Sequence, residues 1–143
     1  MSTVELGQYE DVQVGVRLKI ASLWIAMLFL FAYGDIFGFF APGHLEEIRG
    51  GRISGMEITQ TFLLAVSVYI AIASAMVFLT LVLRPSVNRW VNMVLAALYI
   101  VSIAASMFGE DAYFVFLSVM EIAMLALVIR YAWSWPNSRL ADG

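Results

Sequence analysis

Two carboxyl groups, Asp35 and Glu121, interrupt long apolar stretches of the sequence. An ionised carboxylate at the centre of a bilayer costs at least about 2.5 to 3.5 kcal/mol, so such a group usually faces inward and has a task there. An unpaired Glu121 is expected to be neutral at neutral pH, because desolvation disfavours the charged form. It would then be able to donate a proton as a general acid, with Asp35 stabilising charge or accepting a proton. The structural alternative makes Glu121 a neutral acid that ties helices together by hydrogen bonds to tyrosine and serine. For Asp35 the alternative is a helix-end or loop contact with Arg49 or Arg52.

Further polar groups gather around these two. Counting helical rises puts Tyr99, Tyr69 and Ser67 within a few ångström of the depth of Glu121, as candidate hydrogen-bonding and ligand-binding groups. Glu57, Gln60 and Thr61 fall at i, i+3 and i+4, on one face of a helix start. With Asp35, Glu110 and Asp111 they are candidates for the rim of an outward-open cavity. The plainer alternative is a solvated helix start with acids at the positive end of its dipole. Asn92 reads as an interfacial hydrogen-bonding group.

Other chemistry is scarce. The chain has no cysteine and one histidine, His44, which removes disulfides, thiol redox chemistry and cysteine-ligated metals. A histidine-based metal site would need several carboxylates, so no metal and no cofactor are expected. No nucleotide-binding loop is present. The net charge of -3, without a run of like charge, gives no footprint for nucleic acid.

The elements that must position these residues are membrane helices. Of the 143 residues, 62% are hydrophobic and 13% charged, against roughly 45 to 50% and about 25% in soluble domains. About 20 apolar residues cross the hydrocarbon core, and four segments suffice: 18–40, 58–83, 90–108 and 112–133. A polar N-terminal segment (1–17) precedes this membrane domain (18–135), and a tail (136–143) follows it. The start is mixed and partly acidic, with Glu5, Glu10 and Asp11, unlike the basic start of a signal peptide, so the first apolar run is expected to be retained. Pro85 is placed to stop the second helix. Short connections predict an all-α, antiparallel four-helix bundle. In the longest connection, Leu45 to Arg49 predicts one amphipathic helical turn, stopped by Gly50-Gly51, that could cover the bundle mouth.

Orientation follows from positive charge. Of the eight lysines and arginines, Arg17, Lys19, Arg84, Arg89, Arg130 and Arg139 fall on one side, and only Arg49 and Arg52 on the other. Both termini are therefore expected to be cytoplasmic. Trp24, Trp90, Trp133 and Trp135 are expected at the same headgroup boundary, where indoles are enriched. Gly34 and Gly38 form a GxxxG pair on the first helix, Ser67, Ala71 and Ala75 repeat its spacing on the second, and Ser102 and Ser106 on the third. These are candidate seams within the bundle, with a homo-oligomer as the alternative use. Asp35 lies on the arc of Gly34 and Gly38 and should point inward. Its depth differs from that of Glu121 by about 6 Å, so the two acids can share one pocket if the first and fourth helices touch.

From Arg17 to Trp135 the chain resembles a family of small bacterial four-helix membrane proteins of unknown function. Leu18-Lys19-Ile20 with Leu23-Trp24, Tyr33-Gly34-Asp35-Ile36, Pro42-Gly43 with Leu45-Glu46-Glu47-Ile48, Asn88-Arg89-Trp90-Val91-Asn92, and Glu121 with Ala132-Trp133 carry the likeness. It is also loosely similar in architecture to the DoxX-like group. The resemblance implies a multi-pass protein of the bacterial cytoplasmic (inner) membrane and brings no established activity.

Two functions compete. One is binding of a lipophilic small molecule within the bundle, anchored by Glu121 and Asp35, in catalytic form an acid-base isomerase or cyclase. The other is a structural or accessory membrane subunit that docks a protein partner or a second copy. A proton pathway ranks behind both, because the inner half offers few polar steps beyond Asn92.

Overall fold

The computed structural model describes residues 12–135. Most of the expected polar N-terminal segment, and the whole tail with Arg139, lie outside the described residues. The chain order is α1 (Val16–Gly38), α2 (His44–Arg49), β1 (Arg52–Ile53), β2 (Met56–Glu57), α3 (Gln60–Val82), α4 (Pro85–Ser106) and α5 (Ala112–Trp133). Helices α1, α3, α4 and α5 are long and apolar enough to cross a membrane, and they point to a multi-pass membrane protein.

Local chemistry sets the boundaries. Thr59 caps α3, its hydroxyl accepting from the Phe62 amide at 3.1 Å. Leu83 and Arg84 are both extended between α3 and α4, the conformation favoured before a proline. Pro85 does more than end the preceding helix: it occupies the first turn of α4, where its missing N–H is no loss and its φ is already helical. The third span therefore begins at Pro85 and not near Trp90. The expected turn after α1 is present as α2, with Gly50 as its C-cap and Gly51 at φ +78°. A two-residue hairpin follows, which the sequence reading did not include. Arg52 pairs with Glu57 and Ile53 with Met56, around Ser54 and Gly55 at φ +47° and +77°, the signature of a type I′ turn. Glu57 consequently sits on a strand and does not share a helical face with Gln60 and Thr61.

Helix α1 packs along both α3 and α5, and α5 packs along α4; contact between α3 and α4 is slighter. The core is concentrated toward the end where α1 begins and α5 finishes. Ile20, Trp24 and Met27 of α1, Ala73 and Met76 of α3, Ala96 of α4, and Leu125, Val128 and Ala132 of α5 are fully or almost fully buried. Helix α3 has no buried residue before Ala73. Its small-residue stripe, Ser67, Ala71 and Ala75, is exposed, so it is not a seam within this chain. The GxxxG pair does face a helix: a Cβ at Gly34 would meet Leu117 at 3.7 Å, and one at Gly38 would meet the Tyr113 hydroxyl at the same distance.

Two polar clusters join α3 to α4. In the deeper one, the Trp24 indole donates to Asn92 Oδ1 at 2.8 Å, and Thr80 donates to the same oxygen at 3.2 Å. Asn92 Nδ2 donates to the carbonyl and side-chain oxygens of Asn88, and Asn88 Nδ2 donates to the Thr80 carbonyl. Trp24 is 0% exposed, so it is a core anchor and not a headgroup-belt residue, and Asn92 is a buried junction of three helices. In the second cluster Tyr99 donates to the Tyr69 carbonyl. Ser102 donates to the Tyr99 carbonyl at 3.0 Å, which leaves the Tyr69 hydroxyl as donor in its 2.6 Å bond to Ser102. Where α1 begins, Arg17 donates to the Leu81 carbonyl in the last turn of α3 at 2.6 Å. Arg17, Lys19 and Arg89 lie over the rings of Trp135, Tyr131 and Trp133 at 5.9, 5.6 and 5.6 Å.

Candidate functional site

The end of the bundle where α1 finishes and α5 begins is hollow where the core thins out. Because α3 buries nothing in its first half, space opens between it, α1, α5 and the segment formed by α2 and the hairpin. This mouth cavity has a volume of about 500 Å³. Phe62, Leu63 and Val66 of α3, Phe39, Ile48 and Ile53 supply apolar walls, and Tyr113 and Phe114 close the side toward α5. Its polar lining includes Asp35, His44, Glu47 and Glu110.

A second cavity of about 50 Å³ lies deeper, between α1, α4 and α5, with Glu121, Ser106 and Ser118 among its walls. Gly34, Asp35 and Phe114 line both cavities, so Asp35 stands at the junction between them. Gly34 is buried, and its lack of a side chain lets α1 approach Leu117 of α5; the adjacent Asp35, expected to point inward, is exposed and borders the two spaces from the edge of α1, because a helix turns by about 100° per residue. The first and last membrane helices touch, and the two carboxyl groups picked out by their types border one small space.

Glu121 is 4% exposed. Among the described residues no side-chain hydrogen bond reaches it from Tyr99, Tyr69 or Ser67. Tyr99 and Tyr69 are committed to their own cluster with Ser102, and Ser67 donates to the Leu63 carbonyl one turn back. Tyr99 and Tyr69 therefore brace α3 against α4, and Ser67 bonds within α3; none of the three satisfies the buried acid. Ser106, which lines the inner cavity, donates to the Ile103 carbonyl at 2.8 Å.

At the mouth, Asp35 and Glu110 belong to the lining, whereas Glu57, Gln60, Thr61 and Asp111 do not. Arg52, expected as a partner of Asp35, instead donates to the Gly55 carbonyl at 3.0 Å. Glu47 was not singled out by sequence and has two roles. Its Oε1 accepts from the Gly55 amide at 2.8 Å, fastening α2 to the hairpin turn, and its side chain lines the cavity that this cap covers. The acidic face of α2, Glu46 and Glu47 opposite Leu45 and Ile48, was the available signal. Among the described residues no cluster of three or more histidine, cysteine or acidic side chains is arranged to hold a metal ion.

No curated protein and no solved structure matches the chain. One family model does match, over residues 11–142, and it is described as "Family of unknown function (DUF6326)".

Proposed function

Since the chain belongs to the DUF6326 family, which supplies no activity, we propose from the geometry that it binds a lipophilic small molecule within its helix bundle. The supporting observation is the junction at Asp35: a roomy, largely apolar cavity leads to a small one that holds a buried acid without a hydrogen-bond partner among the described residues. Ligand pockets typically enclose about 300 to 1,000 Å³ and combine apolar walls with a few converging polar groups, and the mouth has both properties. A buried polar group that lacks a partner costs about 1 to 3 kcal/mol, and a ligand group or a water at Glu121 would relieve it. In catalytic form the site would suit acid-base isomerisation or cyclisation, with Glu121 as proton donor and Asp35 as charge stabiliser or acceptor. The reading includes an antiparallel bundle with both termini cytoplasmic in a bacterial inner membrane, in line with the distribution of basic residues.

A second reading, a structural or accessory subunit, is favoured by one observation: the exposed Ser67, Ala71 and Ala75 stripe offers a helix partner a close approach.

Glu121→Gln in detergent-purified protein separates the two. Native mass spectra that lose a co-purifying lipophilic molecule, at unchanged thermal stability, are the expected result. A fall in stability with no molecule bound to the parent would make Glu121 a structural group and overturn the ligand reading.

A further inference from the structure

We infer that the ligand of this site is a lipophilic cation, its apolar body seated in the mouth and its positive group drawn toward Asp35 and Glu121. The inference rests on the two cavities being a ligand site and adds the chemical class of the ligand.

Charge complementarity carries it. Three carboxyl groups, Asp35, Glu47 and Glu110, face the mouth, and Glu121 faces the inner cavity. Among the described residues neither cavity has a lysine or arginine in its lining. The nearest basic side chain on the hairpin, Arg52, is turned to the Gly55 carbonyl. The three mouth carboxylates repel any anion, whereas a cation entering between them is attracted by all three and, on reaching Glu121, takes the place of that group's proton, which leaves to solvent. A neutral molecule would fill the volume without answering that charge.

The walls agree. Phe39, Phe62, Tyr113 and Phe114 present aromatic rings around the mouth, and ring faces attract ammonium-like groups most strongly where water is excluded. Glu121 supplies the independent sign that something is to be bound. It is 96% buried by its 4% exposure, has no hydrogen-bond partner among the described residues, and lines a cavity too small for more than a headgroup or a few waters. Asp35, on the boundary between the two spaces, sits where a charged head would pass from one to the other.

The test uses full-length protein in lipid nanodiscs, with binding measured for three probes of similar bulk: tetraphenylphosphonium, neutral tetraphenylsilane and tetraphenylborate. The signal counted is the part abolished by Val66→Trp, which fills the mouth and so corrects for partitioning into lipid. The phosphonium is expected to bind at least about tenfold more tightly than the neutral probe. Asp35→Asn with Glu121→Gln is expected to remove about that factor for the phosphonium and to leave the neutral probe within about twofold. Asp35→Glu, which keeps the charge, is expected to retain phosphonium binding even where the amide variant folds poorly. If the neutral probe or the borate binds as tightly as the phosphonium, the cation inference falls and the ligand site stands. If none of the three gives a Val66→Trp-sensitive signal, both fall.

Discussion

Asn92 accepts from Trp24 and Thr80 and donates twice to Asn88, so removing its amide strands buried groups on three helices at once. Asn92→Leu is expected to lower stability by about 2 kcal/mol, read from the midpoint of unfolding in mixed detergent with increasing dodecyl sulfate. Trp24→Phe should cost about 1 kcal/mol or less, since Asn92 Oδ1 keeps its bond to Thr80. Equal losses would mean the cluster does not act through Asn92. Glu121 predicts the opposite sign: Glu121→Leu removes a buried acid that none of the described residues satisfies, and is expected to stabilise the bundle by about 1 kcal/mol while ligand co-purification disappears. At this scale the sequence exposed Asp35 and Glu121 readily, because a carboxylate inside an apolar run is conspicuous. It left Asn88 in a connection and read Asn92 as an interfacial hydrogen-bonding group, because both lie near a helix start. Their spacing of one helical turn, on one face with Trp24 facing them from another helix, becomes meaningful only once the helices are packed.

The hairpin between α2 and α3 depends on its turn. Gly55 sits at φ +77°, where a side chain costs about 1 to 2 kcal/mol. Gly55→Val is expected to loosen the cap and to speed amide exchange at Ile58, whose N–H bonds the Gly51 carbonyl at 2.8 Å. Amides in α5 should keep their parent rates; a change there would mean that the cap and the bundle move as one unit. The Ser54-Gly55 pair between Ile53 and Met56 was a readable turn signal, but strands of two residues are too short to show an alternating pattern. The long helices were legible to within a few residues for the opposite reason: each is apolar all round over a membrane's width. Only α4 started early, because Pro85 was read as an ending when it also serves as a beginning.

For the whole molecule the informative quantity is how charge is divided between the ends. Among the described residues the end where α1 begins carries Arg17, Lys19, Arg84, Arg89 and Arg130 without a carboxylate, while the α2 end carries Glu46, Glu47, Glu57, Glu110 and Asp111 beside Arg49 and Arg52. The chain has no cysteine, so single labels report cleanly. With an impermeant maleimide, Ser54→Cys is expected to react in intact cells and Ser134→Cys only after permeabilisation; the reverse would invert the orientation. Which helices would be neighbours was not readable, since connection length constrains only consecutive helices and α1 turns out to lie between α3 and α5. That arrangement also governs how the molecule resists force. The clusters around Asn92 and Tyr99 fasten α3 only from Tyr69 onward, and its opening turns lean on the cap and on whatever fills the mouth. Under tension applied at the Ser54 turn, the first rupture is therefore small and frees the cap with the start of α3, and a larger one follows when Asn92 lets go. An occupant in the mouth would lift the first event and leave the second where it was.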